Sequence, residues 1–446
     1  MQPVTWFEDL RLADAATAGG KGANLGELTA AALPVPPGFV ISADPYLTAI
    51  DQAGARDKLR AVLVDAATGD DAALARASEL AGSLIASTPI PDEIATAILQ
   101  AYQRMGSETR VAVRSSGLSE DSGASSFAGM NATFTNVAGD GEVLARIVHC
   151  WASLYGARSL AYRLRSGVDE EPAIAVIVQQ MIASERSGIM FTASPTTGNR
   201  DELVIEAIFG QGEAIVSGMV EPDTYTVNKG SLAVTGVRVG QQTRQIIGGA
   251  DGADLDVAMS EADGAQRVLS DEQLTEVARL GIAVERHYGS PQDIEWAAVG
   301  DRIWLVQSRP ITTLGAAAPA PIKRSVQVLL HGLSASPGRG AGPVRILHTP
   351  DESRQLQAGE VLVAPMTSPD WVPAMRRAAA LVTDGGGMTC HAAIVSRELG
   401  LPCVVGTRNP TSALADSQDV TVDGSAGEVY AGLLPQPAAA VTLPPH

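Results

Sequence analysis

Cysteine is scarce in this chain and basic residues are outnumbered. Only Cys150, Cys390 and Cys403 occur among 446 residues, with no CxxC pair, so there is neither a disulfide framework nor a cysteine zinc site. An odd count leaves one thiol over in any pairing, which suits a reducing compartment. Lys and Arg number 32 against 50 Asp and Glu, a formal charge of -18, which excludes nucleic acid or an anionic membrane as the default partner. Any phosphate site must then be basic locally. No uninterrupted apolar run is long enough to cross a bilayer, and Met1 to Leu10 lacks the basic start and apolar core of a secretory leader; the expected location is the cytoplasm. What the chain does have is 45% hydrophobic residues, enough for sizeable cores, and a length that suits about three domain-sized units.

It also has a glycine-rich turn with a histidine at its end. Thr383-Asp-Gly-Gly-Gly-Met-Thr-Cys-His391 leads into the amphipathic stretch Ala392 to Leu399. Amides of such a turn and of the first helical turn point outward, and the helix dipole adds partial positive charge, so the position favours an anion. Neutral imidazole can attack phosphorus without a strong base, which makes His391 a candidate phosphohistidine carrier. A capping or packing histidine would fit the same turn. Cys390 with His391 as its base is a rival pairing, but neighbours along a helix point roughly 100° apart and do not face each other.

The segment resembles the swivelling phosphohistidine domain of phosphoenolpyruvate synthase, pyruvate phosphate dikinase and rifampin phosphotransferase. Gly386, Gly387, Thr389, Cys390 and His391 stand in the order of that domain's motif. Gly332-Leu-Ser-Ala-Ser-Pro-Gly-Arg-Gly340 and Gly400-Leu-Pro-Cys-Val-Val-Gly406 resemble its flanks. The resemblance implies that His391 is phosphorylated, that Thr389 assists it, and that Gly386 and Gly387 form the phosphate loop.

Upstream, short β-rich runs such as Ile174 to Val178 and Glu202 to Glu206 alternate with helical stretches such as Leu74 to Ser87 and Glu272 to His287, a mixed α/β pattern. Thr312 to Arg324 is an Ala/Pro stretch without periodicity, read as a linker or an ordered surface strap. A dozen extended residues at about 3.3 Å each span about 40 Å, enough for a small domain to swing between sites. Beyond it come strands at Val361 to Val363, Ala380 to Thr383 and Cys403 to Val405, a helix from Cys390 to Leu399, and a hairpin of Val420 to Asp423 with Gly427 to Tyr430. The last residues form a second Ala/Pro segment, expected to be a flexible tail.

A mobile phosphohistidine needs a donor, and the first three hundred residues offer anion-binding pieces. Gly19-Gly-Lys21-Gly-Ala-Asn-Leu-Gly26 joins backbone access to one ammonium; it is a phosphate contact or a plain turn before a helix. Arg114 ends a strand and can fork onto phosphate oxygens or pair with Glu120 or Asp121. Ser125 to Met130, followed by Thr133, suits a flap over a triphosphate. Gln292 to Ala297 and Trp304 to Ile311 read as two strands; if they pair, Glu295 and Gln307 can offer oxygens to one Mg2+ while Arg309 reaches phosphate.

Together, Gly20 to Glu27, Val113 to Ser116, Ser126 to Gly129, Ser187 to Phe191, and Asp293 to Trp296 with Gln307 to Pro310 resemble the ATP-binding domain of the same family, in the same order. The implied fold is an ATP-grasp domain over residues 1–312 in two lobes, a linker over 313–328, a β/α phosphohistidine domain over 329–432 and a tail over 433–446. Lys21, Arg114, Thr133, Glu295, Gln307 and Arg309 inherit phosphate and Mg2+ roles, Gly129 sits in the phosphate flap, and Gln179 and Met181 line the adenine side. The dikinases continue into a pyruvate-binding barrel that this sequence does not show. The expected activity is thus phosphoenolpyruvate synthase-like, with ATP as donor and pyruvate held by a barrel-bearing partner subunit. The alternatives are a rifampin phosphotransferase-like kinase of another small acceptor and a non-catalytic ATP-binding regulator.

Overall fold

In the computed structural model the residues described are 2–67, 71–118, 132–157, 159–160, 163, 171–216, 218–249, 253–311 and 326–434. The flap with Gly129, Glu120 and Asp121, nearly all of the linker and all but the first two residues of the tail lie outside them. The chain forms two compact units, residues 1–183 with 248–255 and 302–310, and residues 184–247 with 256–301 and 311–446.

The first unit is built on a five-stranded antiparallel sheet. Strands β1 (Val4–Trp6), β2 (Gly38–Ile41), β3 (Val111–Gly117), β4 (Thr133–Val137) and β5 (Ile174–Gln180) lie in the order β1-β2-β5-β3-β4. Central β5 is covered on both faces, and so its sequence is apolar without alternation. Val176 and Val178 enter a core with Tyr46, Tyr102 and Trp151. Ala175 and Ile177 face the other way and pack with Phe7, Ala18 and Leu25. Helices α1 (Ala15–Ala30), α2 (Ala43–Gln52), α3 (Arg56–Ala67), α4 (Asp71–Ala86), α5 (Asp92–Met105) and α6 (Asp140–Ala152) surround this sheet.

The Gly-Lys-Gly segment is not a loop before a helix, as its composition suggests; it is the start of the longer limb of a broken one. α1 is interrupted at Gly19, whose φ is 70° and ψ 163°. A Cβ there would lie 2.2 Å from Ser116 Oγ and 2.4 Å from the Ser116 carbonyl oxygen, so the break needs glycine both for its dihedrals and for close approach to β3. The strand Arg302–Pro310 also belongs to this unit, where the amide of Leu305 donates to the Pro34 carbonyl at 2.8 Å.

Among the described residues, two main sheets lie in the second unit. In the smaller, β6 (Arg186–Phe191), β7 (Glu202–Phe209), β8 (Asp223–Asn228) and β9 (Val234–Arg238) follow one another antiparallel, and the strand Gln292–Val299 pairs on the far side of β6. The helix Asp271–Tyr288 begins at a Ser270/Gln273 capping box and ends at left-handed Gly289, with Asp271 and Glu272 in its first turn and Arg286 and His287 in its last. It lies so close to the sheet that a Cβ on Gly281 would be 2.5 Å from Met190 Sδ.

The larger sheet has eight strands. With β10 (Val328–His331), β11 (Leu333–Ser336), β12 (Arg339–Ile346), β13 (Val361–Ala364), β14 (Ala380–Thr383), β15 (Cys403–Val405), β16 (Asp419–Asp423) and β17 (Glu428–Ala431), the order is β10-β17-β16-β12-β13-β14-β15-β11. β12 pairs with antiparallel β16 over Arg339–Pro343 and with parallel β13 over Val344–Ile346, and so joins the hairpin to the parallel centre. Leu362, Leu381 and Cys403 line one core while Val363, Val382 and Val404 line the other. Burial on both faces explains why β13, β14 and β15 read as unbroken apolar runs. All three sequence-based strands, the helix after His391 and the terminal hairpin are present at these positions.

Candidate active site

Parallel β13, β14 and β15 place their C-terminal ends along one edge, where crossover loops of α/β sheets commonly build sites. Three loops meet there. The amides of Asp384 and Gly385 donate to Ala364 and Pro365, each at 3.1 Å, and those of Gly406 and Arg408 return to Gly385 and Asp384 at 3.2 and 2.7 Å. The carboxylate of Asp384 accepts from the amide and hydroxyl of Thr411 at 3.0 and 2.7 Å. Gly386 has a φ of 103°, and a Cβ there would come within 2.8 Å of Cys390 Sγ. The glycine-rich turn is therefore a backbone shape that bulkier residues would strain.

His391 is the first residue of the helix His391–Leu399, with Cys390 as its N-cap and left-handed Gly400 at its end. The ring is partly buried, and its Nδ1 lies 3.1 Å from the hydroxyl of Thr367, a buried residue on the neighbouring loop. Thr367 carries no signal in the sequence beyond being a hydroxyl in a loop. Cys390 faces the core, and burial pushes its thiol up to about 11; Cys403, also buried, is pushed up to about 12. Cys390 is thus a packing residue, which removes the Cys-His pairing that sequence alone left as a rival.

Thr389 is buried and turned away from solvent. Its hydroxyl donates to Glu206 on β7 at 2.5 Å, and its amide donates to the same carboxyl at 3.2 Å. The amide of Met388 donates to the other oxygen of Glu206. Burial raises the carboxyl of Glu206 above the usual range, while the bonds from Thr389 and Met388 and the nearby Arg397 pull it down. Gly387 makes room for this contact, since a Cβ would lie 2.4 Å from Glu206 Oε1.

The first unit gathers a second group. Arg114 on β3 donates to the Val306 carbonyl at 2.9 Å, to Gln307 Oε1 at 2.5 Å, and at 3.5 Å to Gln179 Oε1. Thr133 stands directly opposite Arg114 on β4 and is exposed. Gln179 is buried on β5, and among the described residues its Nε2 finds no hydrogen-bond partner. Met181 follows β5, its amide donating to the Arg110 carbonyl at 2.9 Å. Lys21 lies two residues past the Gly19 break, beside Gly22, whose amide donates to Ser116 Oγ at 3.2 Å. Burial pushes the Cys150 thiol up to about 12, and the charge of Lys21 partly offsets this. Arg309 shares a strand with Gln307.

The structure thus brings Arg114, Gln179 and Gln307 into contact and sets Thr133 and Lys21 on adjoining elements. Glu295 belongs to the second unit, on the strand Gln292–Val299 opposite Ile189 of β6. Among the described residues no group of three or more His, Cys, Asp or Glu side chains is gathered to hold a metal ion. No described helix is long and apolar enough to cross a membrane.

Residues 15–328 match the family model "Pyruvate phosphate dikinase, AMP/ATP-binding domain", and residues 356–427 match "PEP-utilising enzyme, mobile domain". A probable phosphoenolpyruvate synthase of Methanothermobacter thermautotrophicus is 44% identical over 96% of this chain and 63% of its own length. The phosphoenolpyruvate synthase of Pyrococcus furiosus is 42% identical over 97% of this chain and 59% of its own. The chain therefore spans about three fifths of these curated relatives. With its α/β architecture and with nearly all of the first three hundred residues matched, the chain belongs to the family of the pyruvate phosphate dikinase AMP/ATP-binding domain, joined to a mobile domain of the PEP-utilising enzymes.

Proposed function

We propose that the chain carries out the nucleotide half of a phosphoenolpyruvate synthase-like phosphotransfer, with His391 as the carrier. The observation that carries this reading is the contact of His391 Nδ1 with Thr367 at the mouth of a glycine-rich loop. With Nδ1 donating its proton to the hydroxyl, the lone pair that attacks phosphorus belongs to Nε2. A bond forms from Nε2 to the β-phosphorus of ATP, the bond to the α-β bridging oxygen breaks, and AMP leaves. Water then takes the outer phosphate, leaving phosphohistidine for transfer to an acceptor, which we propose to be pyruvate held by a barrel-bearing protein. Residues 329–432 are read as the part that swings, and residues 1–312 as the part that holds the nucleotide.

The polar group of the first unit supports the donor side. Arg114 has the fork to bind phosphate oxygens, and Lys21 adds a point charge near the start of a helical limb. The orphaned Nε2 of buried Gln179 is the kind of donor that an adenine ring nitrogen would satisfy. Gln307 offers Mg2+ only an amide oxygen that already accepts from Arg114, and Glu295 one carboxylate, so phosphate oxygens and water must supply most of any Mg2+ shell. Bound there, Mg2+ would neutralise charge developing on the phosphates.

Purified protein supplied with Mg2+ and ATP should release AMP and acquire phosphate on His391 that survives alkaline quench. Tight ATP binding with neither product, with pyruvate and a barrel-bearing protein present, would make the chain a regulatory binder instead. Replacing Thr367 by valine should lower kcat for AMP release by about ten- to hundredfold with little change in KM for ATP, since it frees the ring to adopt the wrong tautomer or rotamer. An unchanged kcat in Thr367→Val would remove the hydroxyl from the mechanism.

A further inference from the structure

Glu206 is a single carboxyl in the apolar run Leu203-Val-Ile-Glu-Ala-Ile-Phe209, fully buried and flanked on its sheet by Ile189 and Thr224. A carboxylate buried in a sheet is costly unless its oxygens are satisfied. Here both oxygens meet donors, the amide of Met388 on one and the amide and hydroxyl of Thr389 on the other. Backbone amides directed at both oxygens favour the ionised, acceptor-only form and work against the burial that raises this carboxyl above its usual range. Arg397, on the helix that starts at His391, adds a favourable positive charge.

These donors are two successive amides and a hydroxyl in the turn just before Cys390, the N-cap of the helix that presents His391. Such a set holds phosphate as readily as carboxylate. The seat expected for an anion therefore already contains one, supplied by a strand some 180 residues earlier in the chain. A second contact joins the same two sheets, where Arg238 donates both to Glu221 and to the Gly406 carbonyl at 2.8 Å. Glu206 differs from that pair in standing two and three residues from His391 through its partners. A phosphoryl group on the imidazole would place nearly two negative charges two and three residues along the chain from these donors, where the carboxylate is already seated.

We propose that Glu206 is a latch: its carboxylate occupies the anion seat of the His391 loop while the imidazole is bare, and it is displaced when His391 carries phosphate. The inference rests on the phosphohistidine reading above and adds to it the contact that couples modification of the ring to release of the loop. Glu206 is a positioning residue in this scheme. It touches neither nucleotide nor the reacting nitrogen.

The test avoids ATP, so that its outcome is separate from that of the phosphotransfer reading. Amide hydrogen exchange at Met388 and Thr389 in protein without nucleotide should be slow in the wild type and faster by about tenfold or more in Glu206→Ala, as expected for loss of bonds to a charged acceptor. Potassium phosphoramidate phosphorylates histidine without enzymic help: its own N–P bond breaks, ammonia leaves, and a new N–P bond forms at the ring. With the seat cleared of charge, His391 should be phosphorylated about five- to tenfold faster in Glu206→Gln than in wild type. Glu206→Gln preserves shape, and if Glu206→Ala does not fold, the glutamine variant serves both measurements. Unchanged exchange at the two amides, or an unchanged phosphoramidate rate in a folded Glu206→Gln protein, overturns the latch. Absence of AMP formation alongside accelerated exchange and labelling would instead overturn the ATP reading and leave the latch standing.

Discussion

Asparagine in place of His391 will abolish AMP release, with a fall of about four orders of magnitude or more, because the group that forms the covalent bond is gone. The substitution is mild as structure. His391 is the first helical residue, a position that asparagine tolerates, and the loop before it is fixed by backbone bonds through Asp384, Gly385 and Gly406 that do not involve the ring. ATP affinity should therefore persist, since Arg114 holds Gln179 and Gln307 within the first unit without involving the ring. Chromatography of nucleotides measures the first outcome and calorimetric titration the second. Retained turnover in the asparagine variant would remove the imidazole from the reaction.

A second large effect concerns stability. Arg339 Nε and Asp423 Oδ2 pair at 2.7 Å between facing positions of β12 and β16, with side chains only 8% and 3% exposed. Asp423 Oδ1 meanwhile accepts from the amides of Ser425 and Ala426, each at 3.0 Å, and so shapes the hairpin turn. Arg339→Leu would leave that carboxylate buried without its cation, at a cost of about 3–5 kcal/mol. Asp423→Asn would keep the turn acceptor and lose the charge. The double variant Arg339→Leu with Asp423→Asn should then recover much of the loss, a non-additivity that isolates the charge from the turn. Urea midpoints at constant slope give the comparison; equal destabilisation in the single leucine variant and the double would refute it.

How much of this is legible in the sequence depends on whether the determinant is local. β13, β14 and β15 are short apolar runs punctuated by glycine and proline, and the helix after His391 carries its start and stop in neighbouring residues, so pattern alone locates them. Glycine at 386 and 387 is likewise readable as a phosphate-type turn. The break at Gly19 reads as a loop because its cause is Ser116, a residue far along the chain that presses against the helix. Thr367 and Glu206 acquire meaning only from partners 24 and 183 residues away. A hint exists for Glu206, since one carboxyl in the middle of a run buried on both faces demands compensation somewhere. Where that compensation lies is visible only in three dimensions.

The parallel centre of the larger sheet has a practical corollary. The loops that leave β13, β14 and β15 carry the proposed chemistry, and the turns around Ala358 and Gly400, which enter β13 and β15, lie at the opposite rim and are exposed. All three native thiols are buried. A cysteine installed at Ala358 would thus be a solitary accessible handle for a dye or a surface tether, letting the proposed travel of the carrier be tested from its blind side.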